Sequence, residues 1–196
     1  MLKDKIEEIK KKALEEKVPI IMDDTLDVMS KYLLELKPKN ILEIGAAVGY
    51  SSIRFASLLG EKCLIDTIER NEERANEARK NITETGLNNI INLYEGDALE
   101  ILPKLNNKYD AIFIDAAKGK YPFFLKESLR LLNSNGIIFA DNVLYKGYVL
   151  GEYNEHKHRT AVRNLREFIK DATDDSDLDT KILEVGDGLA IIKKIN

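Results

Sequence analysis

Five short apolar runs punctuate the middle of this 196-residue chain: ILEI (41–44), CLIDTI (63–68), IINLY (90–94), AIFI (111–114) and IIFA (137–140). Runs this short that are apolar on both faces suit parallel strands covered on both sides, because a strand with one wet face alternates instead. Between them, residues 51–59, 71–85 with Gly86 as the stop, 99–105 and 121–132 carry helical spacing. They read as the crossovers that parallel strands require. The end of the chain breaks this rhythm. ILEV (182–185) and LAII (189–192) are separated only by Gly186-Asp187-Gly188, a connection that suits a hairpin and is too short for a crossover. The pattern predicts an α/β fold with a mostly parallel sheet closed at one edge by an antiparallel pair. The acidic residues 171–179 are expected as a solvated loop before that pair.

Ahead of the first strand, Ile6, Ile9, Ala13 and Leu14 recur at helical spacing among lysines and glutamates, and Leu26, Met29, Leu33 and Leu36 form a second such pattern ending at Lys37-Pro38. Residues 1–37 are therefore expected as a helical extension of one domain spanning 1–196. Hydrophobic residues at 44% supply a core, and 33% charged residues in a mixed pattern exclude intrinsic disorder. Thirty basic against thirty-four acidic side chains leave a net charge of −4, so no overall basic field exists and any nucleic-acid contact has to be local. Cys63 is the single cysteine, the first residues (MLKDKIEEIKKK) are charged where a signal peptide is apolar, and no apolar run reaches membrane-spanning length. A cytoplasmic protein with no membrane partner is the expectation.

The most informative segment is ILEIGAAVGYSS (41–52), a strand ending near Glu43 and Gly45 that turns through Gly49 into a helix whose first backbone donors face a ligand. Ala46, Ala47 and Val48 stand between the glycines, which argues against the close pyrophosphate approach of a dinucleotide fingerprint. Glu69, twenty residues past Gly49 and at the end of the next strand, is placed to accept from both ribose hydroxyls. A ribose without a pyrophosphate fits S-adenosylmethionine; a tight structural turn is the other reading of the same residues. In Glu95-Gly96-Asp97-Ala98, Asp97 either meets an adenine edge or caps the following helix.

The fourth and fifth runs end in Asp115-Ala116-Ala117-Lys118 and Asp141-Asn142. Adjacent parallel strands bring such carboxyl ends together, and two carboxylates with one amide suit a hard cation, magnesium or manganese, that keeps positions for water and substrate. Helix capping is the alternative for each residue singly. Lys118, beside a cation, would have its ammonium form disfavoured and could take a proton; an ordinary solvated lysine is the other possibility.

ILEIGAAVGYSS, TIER, GDA, FIDAAK and ADNV, in this order and spacing, resemble the cation-dependent O-methyltransferases that include the catechol and caffeoyl-coenzyme A enzymes. The likeness covers nearly the whole chain and implies a Rossmann-like class I methyltransferase fold. That fold has seven strands, mostly parallel, a C-terminal antiparallel hairpin and helices on both faces. Within the family, VPIIMDD (18–24), DNVLYKG (141–147), HRTAVRNLREF (158–168) and VGDGLAIIKK (185–194) are most similar to the branch that methylates 5-hydroxyuridine at the tRNA wobble position. The resemblance implies that Met22 covers the cofactor, Gly45 and Ser51 hold its methionine end, Glu69 its ribose, and the Ala98 backbone its adenine. Asp115 would ligate metal and lie beside the cofactor, Asp141 and Asn142 would complete the protein ligands, and Lys118 would sit near the reacting oxygen. A homodimer is implied as well. Ala47 departs from several relatives, which leaves the contacts of the turn open.

Two substrate classes follow. In 5-hydroxyuridine the 5-hydroxyl neighbours O4 much as catechol pairs two hydroxyls, so one cation site serves tRNA or a small phenolic molecule. A cofactor-binding module without catalysis is the third reading, against which stands the complete set of Asp115, Lys118, Asp141 and Asn142. Lys10, Lys11, Lys12 and Lys17, with Lys120, Lys146, His158, Arg159, Arg163 and Arg166, form candidate phosphate contacts, and Tyr121, Phe123, Tyr145 and Tyr148 are candidates for stacking on a splayed-out base.

Overall fold

A computed structural model describes residues 1–152 and 156–195. Their backbone falls into two compact units, Met1–Leu105 and Asn106–Asn196. In the first unit, helices α1 (Leu2–Glu15) and α2 (Asp23–Leu36) precede β1 (Asn40–Ile44), α3 (Tyr50–Leu59), β2 (Leu64–Glu69), α4 (Glu72–Glu84), β3 (Ile91–Glu95) and the short α5 (Ala98–Ile101). The three strands are parallel in the order β3-β2-β1, with Glu43 opposite Thr67 and Glu69 opposite Glu95. Helix α1 lies on α3 through buried Ile6, Ile9 and Ala13. Leu14, expected on that apolar face, is 60% exposed because it sits one residue, about 100° of helical turn, beyond Ala13. Asn71 caps α4 by accepting from the Arg74 amide at 2.9 Å, while Ala75, Ala78 and Ile82 form its buried stripe.

The second unit contains β4 (Tyr109–Ile114), α6 (Tyr121–Leu131), β5 (Leu132–Ala140), α7 (Arg159–Asp174), β6 (Leu178–Leu183) and β7 (Leu189–Lys194). Its strand order is β4-β5-β7-β6, with β4 and β5 parallel and both pairings of β7 antiparallel. The seven strands are thus three parallel ones in the first unit and, in the second, a parallel pair extended by a C-terminal antiparallel hairpin, the Rossmann-like arrangement expected. Among the described residues no helix is long and apolar enough to cross a membrane.

Three expected boundaries move. Residues 171–174 of the acidic stretch are the last turn of α7, because the buried series Val162, Leu165, Phe168 and Ala172 continues through them and their carboxylates occupy the wet face. The first hairpin strand starts at Leu178, four residues before ILEV, and Leu178 pairs with Lys194. Its sequence LDTKIL is half polar because β6 is the sheet's edge strand, which needs no second apolar face. Strand β5 similarly extends back to Leu132.

Candidate active site

In the first unit, the turn after β1 is built around Glu43. Its carboxylate is fully buried and accepts from the hydroxyls of Ser51, Ser52 and Thr67, the last at 2.5 Å. Each donor has a structural reason to be there: Thr67 is the cross-strand partner of Glu43 on β2, and the two serines open α3. Burial of a carboxylate is tolerable when several donors converge on it, so Glu43 ties β1, β2 and α3 together at the ligand edge. That makes Glu43 a residue that shapes the turn. Its place at the end of the ligand-facing strand makes Glu43 a candidate cofactor contact in the sequence; Ser52 and Thr67 carry no signal there, because the β1–β2 register that pairs 43 with 67 is not fixed by two strands apolar on both faces.

Glu69 is clasped from both sides. Oε2 accepts from the Ala47 amide at 2.8 Å and Oε1 from the Asn71 amide at 2.9 Å, with the residue 7% exposed. Each oxygen retains a lone pair, so the carboxylate can still accept from ribose hydroxyls. The contact also accounts for Ala47, whose φ of 47° lies in the left-handed region that a side chain rarely adopts; Glu69 holds its amide there. Gly49 has φ 78° and sits against Ala78, and Asn81 of α4 donates to the Val48 carbonyl at 2.9 Å, closing the turn from behind. Gly45 and Ala46 both donate to the Ile68 carbonyl at 3.0 Å. Met22, at the start of α2, is 52% exposed. Asp97 caps α5 by accepting from the Leu99 amide at 2.9 Å, the structural one of its two expected roles, and Ala98 begins that helix.

In the second unit, Asp115 and Asp141 directly follow Ile114 and Ala140, which face each other across the parallel β4–β5 pair. The Asp141 amide donates to the Ile114 carbonyl at 3.0 Å, fixing the two strand ends side by side. Asp141 is 2% exposed and its carboxyl is pushed up to about 7, by burial first and by the neighbouring Asp115 carboxylate second. Its Oδ1 accepts from the Asn142 amide at 2.7 Å, and Asn142 itself takes a φ of 56°. A buried carboxyl whose ionisation is opposed by a neighbouring carboxylate, next to an amide, belongs to a donor set that a hard divalent cation relieves. Among the described residues no three His, Cys, Asp or Glu side chains gather to hold a metal, and Asp115, Asp141 and Asn142 supply two carboxylates and one amide.

Lys118 is held by protein partners on two sides. Its Nζ donates to Asp115 Oδ1 and to the Tyr121 hydroxyl, each at 2.9 Å. Burial opposes the ammonium, but Tyr121 and Asp115 outweigh it and lift the group above the ordinary lysine range. The lysine is an acid here, and a cation on Asp115 would be needed to reverse that. Tyr121, expected as a stacking surface, is fully buried; its hydroxyl donates a hydrogen bond to the Asp141 carbonyl at 2.7 Å and thereby links Lys118 to the end of β5. Its place three residues after Lys118 was the available signal.

The candidate nucleic-acid contacts divide sharply. In α1, Lys10 pairs with Asp23 at 2.6 Å, Lys12 with Glu77 at 2.5 Å and Lys11 with Glu15 at 3.9 Å, so these lysines chiefly serve the helix and its neighbours. Arg166 is likewise engaged, donating to the carbonyls of Val149, Tyr148 and Gly151. Lys120, Lys146, Arg159 and Arg163 are exposed, and among the described residues none of them pairs with a carboxylate. Tyr145, Tyr148 and His158 form an aromatic cluster in which the Tyr145 hydroxyl and His158 Nδ1 are 3.1 Å apart. Phe123 packs edge-on against Phe124.

The mixed sheet with its glycine turn and paired strand-end aspartates defines a Rossmann-like methyltransferase. A family model described as O-methyltransferase matches residues 2–195, and the chain belongs to that family. It is 36% identical over 166 residues to a catechol O-methyltransferase of Niastella koreensis, covering 79% of this chain and 74% of the relative. A Staphylococcus aureus crystal structure provisionally named a caffeoyl-CoA O-methyltransferase superposes with a TM-score of 0.90 at 37% identity, covering 96% of this chain and 91% of that one. A Bacillus cereus O-methyltransferase in complex with SAH gives 0.86 at 26% identity, with coverage of 97% and 91%. The chain is an S-adenosylmethionine-dependent O-methyltransferase of the catechol and caffeoyl-CoA type.

Proposed function

We propose that the enzyme methylates the 5-hydroxyl of 5-hydroxyuridine at the tRNA wobble position. The observation that carries this reading is the set of exposed cations Lys120, Lys146, Arg159 and Arg163, which lie in the same unit as Asp115 and Asp141 and hold no carboxylate partner among the described residues. Cations with no carboxylate partner among the described residues, in a chain of net charge −4 where Lys10 and Lys12 of α1 are paired, suit a local contact with phosphates. The flanking segments 141–147 and 158–168, which carry three of the four, supply the sequence likeness to the tRNA-modifying branch.

In this reading S-adenosylmethionine supplies the sulfonium methyl, and a divalent cation, when bound, lowers the pKa of the substrate hydroxyl. Glu69 accepts from the ribose, the backbone after Gly45 and the Ser51 hydroxyl receive the methionine end, and Met22 covers it. Asp115, Asp141 and Asn142 are the residues that would hold the cation. Lys118, which donates to Asp115 and Tyr121 in the structure, would in its amine form take the proton of the attacking hydroxyl, with Tyr121 aiming it. A homodimer is retained in the proposal on resemblance alone.

A small phenolic substrate is the second reading, favoured by the name of the Niastella koreensis relative. The two separate on one experiment: turnover of hydroxyuridine-containing tRNA and of catechol, each as a function of salt, with wild type and Arg159→Ala/Arg163→Ala. Methylation of tRNA that falls steeply with salt and in the double variant, while SAH binding is unchanged, supports the tRNA reading. Efficient turnover of catechol with no methylation of that tRNA overturns it.

A further inference from the structure

Gly186-Asp187-Gly188, the turn between β6 and β7, is used by none of the steps above, yet it grips the loop that carries Asn142. Because β7 runs antiparallel to β5 with Ala140 opposite Ala190, the residues just before β7 lie alongside those just after β5. The Val143 amide donates to the Gly188 carbonyl and the Leu144 amide to the Asp187 carbonyl, both at 3.0 Å; the Lys146 amide donates to the Asp187 side chain at 2.5 Å. The gripped loop is conformationally costly: Asn142, Tyr145 and Lys146 have φ of 56°, 46° and 57°. Non-glycine residues in that region persist only where surrounding contacts hold them. The approach is also too close for a side chain on the turn. A Cβ on Gly188, whose φ is 90°, would stand 2.8 Å from both the Cβ and the amide nitrogen of Leu144.

We propose that Asp187 and Gly188 are positioning residues that set the backbone of residues 142–146, and with it the placement of the Asn142 amide toward the cation and of Tyr145 and Lys146 toward the substrate. The inference rests on the reading of Asp115, Asp141 and Asn142 as cation ligands. Asp187 acts through the hydrogen bond to the Lys146 amide, so an uncharged isostere that keeps the acceptor retains the function.

The test compares Asp187→Ala, Asp187→Asn and Gly188→Ala with wild type by three measurements. These are Mn2+ binding in the presence of SAH, followed by electron paramagnetic resonance of free Mn2+; SAH binding by calorimetry; and amide hydrogen exchange at Val143, Leu144 and Lys146. Expected are a tenfold or greater loss of Mn2+ affinity and faster exchange of these amides in Asp187→Ala and Gly188→Ala. Asp187→Asn should stay within threefold of wild type, and SAH affinity within twofold in all three. Asp187→Asn as weak as Asp187→Ala would show that charge and not the hydrogen bond acts, and would overturn the proposal. So would wild-type Mn2+ affinity and exchange in Asp187→Ala. No Mn2+ binding by wild type, with slow exchange at these amides that Asp187→Ala accelerates, overturns the cation reading and leaves the grip on the loop standing.

Discussion

Lys118 holds its ammonium 2.9 Å from Oδ1 of Asp115, a pair in which the lysine's proton is stabilised by the carboxylate that the proposed cation would occupy. The contact makes cation loading and deprotonation of Lys118 interdependent, since a positive charge on Asp115 withdraws the partner that keeps the lysine protonated. Lys118→Ala should lower kcat by about 10² or more, the usual range for loss of a positioned general base, with little change in SAH affinity. Lys118→Arg should not restore it, because guanidinium does not give up its proton. Rapid-quench turnover on saturating substrate reads this; full activity in Lys118→Ala would remove the lysine from the chemistry.

Asp141 yields a prediction about stability. Its pKa in the folded protein, about 7, lies above the ordinary 3.8, so the favourable contribution is present below pH 4 and is lost as pH rises through 7. Protein freed of cations by chelator should therefore melt at a lower temperature at pH 8 than at pH 5.5. Asp141→Asn, which keeps the acceptor for the Asn142 amide, should remove most of that loss, on the order of a few kcal/mol at pH 8. Calorimetric scans of both proteins at the two pH values decide it, and a variant less stable than the chelated parent at pH 8 would refute the assignment.

Glu69→Ala removes charge-assisted acceptors for the ribose and the brace on the Ala47 amide together. SAH affinity should fall by about 2–3 kcal/mol, roughly 30- to 150-fold. Titration calorimetry on the folded variant checks this; an unchanged dissociation constant would place the ribose elsewhere.

The proposed oxygen-only donor set predicts cation dependence. Chelation should abolish methyl transfer, and Mg2+ or Mn2+ should restore it, while SAH binding persists in the chelated protein. Methyl transfer undiminished after exhaustive chelation would eliminate the cation from the mechanism.

Glu43→Gln should destabilise the protein by about 1–3 kcal/mol, since three buried hydroxyl donors would face an amide that offers one acceptor oxygen. Denaturant unfolding reads the loss, and a variant as stable as the parent would show that the hydroxyls find other partners.

The sequence by itself determined the alternation of strands and crossover helices, the hairpin, and the strand-end positions of Glu69, Asp115 and Asp141. These are properties of local period and of turn residues, which act over a few neighbours along the chain. It did not determine what the side chains at those positions touch. That Glu43 is shared by Ser51, Ser52 and Thr67 depends on the register of β1 against β2. That α7 runs on through an acidic stretch depends on Phe168 and Ala172 finding a buried surface. That Asp141 is buried against Asp115, and that Gly186-Asp187-Gly188 grips residues 143–146, were decided by contacts among residues far apart in sequence: Asp115 against Asp141, and Asp187 against Lys146. Burial, charge proximity and backbone strain are set by distances in space, and a linear pattern carries those only where the strand register already fixes them.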